Sequence, residues 1–258
     1  MIKILSWLPR HQAKRLWSLT LCLCFMTMHA TAKEIDMEAE FGLLASYGNS
    51  ESSSVNGRFY ASKDAEQWRQ QLTVSAAAAS AVDPNVVDGE PITSAERYSL
   101  QGQLDRKFDS ENSLYVKVGY ERDRFTGFDY EGVFTVGYGR QLIKNDVNAL
   151  RLEVGPGMRF TKPENGPSDE EGLISSALRY QRTLSKTSKF VQSLEVDAGE
   201  NRVLSTAVSA LTAQVNQKLA MKLSLLFKHN SDPIFDDELQ VERKSVDTEM
   251  AVSLVYSF

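Results

Sequence analysis

The sequence predicts an all-β fold, a transmembrane antiparallel β-barrel of about twelve strands in an up-and-down meander. Three observations predict it. Apolar and polar residues alternate with period two over segments of mostly ten to sixteen residues. The connections alternate between short polar turns and long acidic loops. The run "MAVSLVYSF" (250–258) alternates to its last residue and closes on an aromatic ring.

Ahead of the strands, residues 1–32 read as a secretory signal peptide cleaved near Ala32. Lys3, Arg10, Lys14 and Arg15 supply its positive start, and "LWSLTLCLCFMTM" (16–28) its apolar stretch. Ala30 and Ala32 place small residues where a signal peptidase reads. Thirteen residues fall short of the roughly 20 that a membrane-spanning helix needs. A lipidated Cys22 or Cys24 would need small residues just before the cysteine, and these are missing.

The barrel domain then covers 33–258. Both cysteines leave with the signal, so the mature chain holds no disulfide, thiol nucleophile or cysteine metal site. Four of the 29 Lys/Arg residues leave too; the 25 that remain face 34 acidic residues, a formal charge of −9. That balance argues against nucleic acid as a partner. A mean hydropathy of −0.32 suits a soluble protein and a membrane barrel equally, because alternation hides the lipid-facing half.

In chain order the predicted strands are 37–48, 53–63, 66–81, 93–107, 112–123, 129–142, 147–160, 171–184, 188–198, 203–217, 220–230 and 246–258. The pattern is cleanest at Phe41/Leu43/Ala45/Tyr47, Tyr98/Leu100/Gly102/Leu104, Leu114/Val116/Val118/Tyr120 and Met221/Leu223/Leu225/Phe227. "SAAAASA" (75–81) fits a helix as well as a strand, and its neighbours decide for strand. "KDAE", "DSEN", "IKND" and "SKTS" are the short turns. "VDPNVVDGEPIT", "TKPENGPSDEE" and "NSDPIFDDELQVERKS" are the long loops. A barrel must close, because an open edge in lipid leaves backbone groups unpaired. The last strand is therefore expected to pair with the first. Tyr256 and Phe258 are expected to form a signal read by barrel-assembly machinery.

"YVKVGYERDRFTGFDYEGVFTVGYGRQLI" (115–143) with "LEVGPGMRF" (152–160) resembles the salt-induced outer membrane proteins, the YdiY-like family of unknown function. "FGLLASYGNSESSSVNGRFYASKDAEQWRQ", "ERYSLQGQLDRKF", "KHNSDP" and "TEMAVSLVYSF" also fit that family, so the resemblance covers nearly all of the mature chain. It implies a barrel in a Gram-negative outer membrane, and no reaction. The expected partners are outer membrane lipid, with barrel-assembly machinery and periplasmic chaperones during biogenesis. A monomer without cofactor or metal is expected, serving as a narrow channel or as a structural protein of envelope or salt stress.

By parity the inward-facing polar residues include Asn56, Arg58, Arg69, Gln71, Arg97, Gln101, Gln103, Asp105, Lys117, Glu121, Arg151, Glu153, Arg179, Glu195, Lys222 and Lys228. Both signs occur, which favours cross-strand ion pairs over a selective pore. "YERDRFTGFDY" (120–130) is the densest polar-aromatic stretch. It reads as a hairpin tip held by Arg–carboxylate pairs, with Gly127 at the turn and Tyr120, Phe125, Phe128 and Tyr130 in an interfacial aromatic girdle. The acidic clusters at 83–90, 121–129, 164–171 and 232–238 lack calcium-loop spacing and read as solvated loops. The alternative function is a lipid hydrolase built on His229 and Ser231, two apart on one strand face at the lipid rim. Such chemistry needs a third, orienting group and an oxyanion donor, which the sequence does not show. A periplasmic β-sandwich is the remaining alternative to a barrel.

Overall fold

A computed structural model describes residues 35–46, 52–81, 92–123, 128–164, 166–233, 235–236, 241–242 and 244–258. The expected signal peptide, the Gly127 turn with Phe125, and the acidic 83–90 loop lie outside them. The strands are β1 (Asp36–Ser46), β2 (Ser52–Asp64), β3 (Trp68–Ala81), β4 (Ile92–Lys107), β5 (Asn112–Asp123), β6 (Phe128–Lys144), β7 (Asn148–Pro163), β8 (Asp169–Ser185), β9 (Ser188–Gly199), β10 (Val203–Gln214), β11 (Leu219–Asn230), β12 (Phe235–Asp236), β13 (Val241–Glu242) and β14 (Val246–Ser257). Twelve of them close into one antiparallel barrel, and each pairs with its sequence neighbours. β11 pairs with β14, and β14 returns to β1.

The twelve expected segments all form strands, with ends that shift by a few residues. The expected 203–217 strand stops at Gln214, where the Asn216 side chain accepts hydrogen bonds from the N–H groups of Lys218 and Leu219 and turns the chain. The last long loop carries structure of its own: β12 and β13 form a two-stranded ribbon that is not part of the barrel sheet.

Pleating sends successive side chains to opposite faces, and the register carries each face around the wall. Val74, Leu100 and Tyr120 stand opposite one another on β3, β4 and β5, all exposed on the outer wall. Five residues along, on the opposite face, Asp105, Tyr115 and Gly137 stand opposite one another on the inner wall. A one-residue slip would turn Asp105 into the apolar belt, so the sequence pins the register. The register also shifts at Ala79/Ser80, Gln141/Ile143 and Thr183/Ser185, and two further features interrupt the pattern. A bulge between Phe128 and Tyr130 turns Phe128 off the expected aromatic girdle. It is 9% exposed and lies under Arg202, whose guanidinium is 4.6 Å from the ring centre. The second is the closing seam, where β1 and β14 share five register pairs against eleven between β1 and β2.

Short turns gather at one end of the barrel. In three of them an Asx side chain replaces missing backbone partners. Asp109 accepts from Glu111 and Asn112 N–H at 2.8 and 2.7 Å. Asn145 does the same for Val147 and Asn148, and Asn216 for the β10–β11 turn.

The barrel interior as the candidate functional site

The inner wall has two unlike halves. On β4 to β9 it is tightly packed: Asp105, Thr135 and Arg159 are 0% exposed, Tyr115 and Ser175 1%, and Lys117 5%. Glycines on β6 make this packing possible. A Cβ at Gly137 would lie 2.7 Å from the Tyr115 hydroxyl, and one at Gly139 would overlap the Arg151 guanidinium. The two large side chains therefore lie flat across the glycine positions.

Arg151 and Asp105 centre a polar network on that half. Asp105 accepts from Arg151 at 2.5 Å and from Arg69 at 3.3 Å. Arg151 also donates to Glu153 at 2.6 Å and to the Ser113 hydroxyl at 2.9 Å, and Gln103 donates to Glu153 at 3.0 Å. Nearby, Arg159 pairs with Glu171 and donates to the backbone carbonyls of Asp197 and Arg202. Arg202 pairs with Glu131. Thr135 Oγ1, Arg159 Nε, Ser175 Oγ and Asp197 Oδ1 are buried on this wall without a hydrogen-bond partner.

Other pairs cross the open space. Lys117 on β5 meets Glu195 on β9 at 2.5 Å, four strands round the barrel. Arg97 on β4 holds Glu249 on β14 through two bonds of 2.6 and 2.7 Å, again four strands apart. Glu121 on β5 pairs with Lys228 on β11, six strands apart in a ring of twelve. Those two strands are diametrically opposite. Twelve strands about 4.8 Å apart and tilted by about 40° would enclose a circle roughly 24 Å across. A lysine and a glutamate joined end to end span roughly 14 Å between Cα atoms, from bonds of about 1.5 Å. The barrel is therefore oval at this level, with β5 and β11 on its short axis.

On the remaining strands the inner face is buried toward the β10–β11 turn, at Ala210, Thr212, Ala220, Ser253 and Val255, and is looser beyond it. Ser54, Thr73, Ser75, Ala77, Ser224 and Ala251 present small side chains of intermediate exposure on β2, β3, β11 and β14. On β5, a Cβ at Gly119 would meet nothing within 4 Å.

The sixteen residues assigned inward by parity share one register face around the barrel. The structure brings most of them into the networks above. Arg179 shares that face but is exposed near the β8–β9 turn. Glu121 does not hold a hairpin tip; it crosses to Lys228, because its parity points it inward. Parity could also have found Arg159, Glu171, Glu131 and Glu249. Arg202 carries no such signal, since it lies between β9 and β10.

His229 points to the outer wall, opposite Ser205 and Val246. Ser231 lies beyond the end of β11, not on a strand face with His229, because the strand stops at Asn230. Its hydroxyl accepts from Val203 N–H at 2.8 Å and ties the β11 end to β10. Tyr256 stands on the outer wall with Phe258 edge-on at 5.1 Å, and Phe258 N–H donates to the Met37 carbonyl at 3.1 Å. Among the described residues no group of three or more His, Cys, Asp or Glu is placed to hold a metal.

The family model for proteins of unknown function DUF481 matches residues 39–258. The chain belongs to that family. The chain is also similar to the uncharacterized protein YdiY of Escherichia coli strain K12, 28% identical over 192 residues, 74% of this chain and 73% of YdiY. Solved structures with the same fold include the NanC porin, with a TM-score of 0.52 at 6% identity, covering 86% of this chain and 100% of NanC. The COG4313 outer membrane channel from Pseudomonas putida F1 gives 0.51 at 9% identity, covering 90% and 98%. The DUF481 chain thus has the fold of outer membrane β-barrels.

Proposed function

We propose that this barrel is a narrow channel of the bacterial outer membrane, passing small polar solutes or ions along the looser flank of an oval lumen. The observation that carries the reading is the Glu121–Lys228 pair between opposite walls, beside an inner flank of small side chains. Opposite charges joined across the interior hold the walls together, while the Ser- and Ala-lined side leaves room for water. In this reading residues 1–32 are removed near Ala32, periplasmic chaperones deliver the chain, and assembly machinery reads Tyr256 and Phe258. The inserted protein is a monomer.

A lipid hydrolase is the weaker reading. His229 and Ser231 do not share a face, and the Ser231 hydroxyl is engaged with the backbone. The geometry favours a non-enzymatic barrel.

The test is single-channel recording on refolded mature protein in a planar bilayer. Small, steady conductance steps are expected. A silent bilayer, with insertion shown separately by heat-modifiable migration, would overturn the channel and leave a structural barrel.

A further inference from the structure

The inner cations are mostly neutralised where they stand: Arg69, Arg97, Lys117, Arg151, Lys222 and Lys228 each contact a carboxylate. Arg58 differs. It is half-buried on β2, faces inward, and has no carboxylate within ion-pair distance among the described residues. Its register neighbour Glu40 is already held by Lys222 at 2.7 Å. Arg58 instead lies over the Tyr60 ring, 5.9 Å from its centre. Gln71 donates to the Tyr60 hydroxyl at 2.9 Å, which fixes the ring and leaves the phenol proton free to donate. On the other side the neighbour is Ser75, a small residue of the looser flank.

We propose that Arg58 is an anion-binding and selectivity-setting residue of the lumen, and that its ligands are small oxyanions, carboxylates or phosphates. A guanidinium presents paired N–H donors that match a carboxylate or phosphate edge. Here the Tyr60 ring, held in place by Gln71, forms one side of the guanidinium's surroundings. Paired charges around it cancel, so Arg58, without a partner carboxylate among the described residues, sets the local sign along the flank. The inference rests on the proposed water path, and its test separates the two.

Reversal potentials in a KCl gradient are recorded for wild type, Arg58→Gln and Arg58→Lys. The expected result is anion preference in wild type and Arg58→Lys, lost in Arg58→Gln. In parallel, 31P line broadening of inorganic phosphate is followed in detergent micelles, with glucuronate as competitor. Broadening by wild type but not by Arg58→Gln, relieved by glucuronate, is expected for a site that takes both oxyanions. Broadening without relief assigns the site to phosphate alone and overturns the carboxylate part. Unchanged selectivity and unchanged broadening in Arg58→Gln overturn the proposal while leaving the channel. A silent bilayer with Arg58-dependent broadening overturns the channel while leaving the site.

Discussion

At the scale of single residues, burial decides which charges matter. Asp105 is fully buried and accepts from Arg69, Arg151 and Gln103. Replacing it with alanine takes the carboxylate from Arg69 and one of two from Arg151, which keeps Glu153, a loss of about 3 kcal/mol, the low end for broken buried pairs. Urea unfolding of the barrel in lipid vesicles checks this; a loss under about 1 kcal/mol, the median for surface pairs, would show that water screens the site. Alternation in the sequence placed Asp105, Arg151 and Lys117 on the inner face. It could not say that Lys117 meets Glu195 and Glu121 meets Lys228, because parity gives a side and not the opposite wall. Phe128 shows the other limit: a single bulge reverses parity, and nothing in "TGFDYEG" marks where it falls.

At the scale of elements, the turns are built by one device with one variable part. Asp109, Asn145 and Asn216 each accept backbone N–H groups two and three residues on. Of these only Asp109 titrates. Hydrogen bonds from the Asn112 side chain, then from the Glu111 and Asn112 backbone, hold its carboxyl below its ordinary value of 3.8. A lowered folded value means that the turn's stabilisation is present above pH 3.8 and is lost as pH falls through the folded value. NMR is expected to show the Glu111 and Asn112 amides titrating with a midpoint below 3.8. Asp109→Asn should abolish that titration and keep the turn, as Asn145 does in the next hairpin; a midpoint at or above the ordinary value would refute the account. Strands and short turns were legible because period two and Asx residues are local signals. The β12–β13 ribbon was not, since two residues per strand are too few to show a period.

At the scale of the whole molecule, closure and ovality have different origins. Closure follows from alternation, since the two edges of an open twelve-stranded sheet in lipid would strand backbone groups. The closed barrel was therefore legible from strand count and loop asymmetry. Ovality comes from side chains that reach across: Glu121 to Lys228, Arg97 to Glu249 and Lys117 to Glu195. No local pattern encodes it, because strand number alone does not set lumen shape. In the proposed channel these pairs narrow the water path. The most direct test is the single-channel conductance of Glu121→Gln/Lys228→Met against wild type. The double variant removes the longest bridge and leaves no unpaired charge from it. Larger conductance steps from an equally heat-stable barrel are predicted. Identical steps would contradict the claim, and would mean that the backbone, and not the ion pairs, sets the width of the lumen.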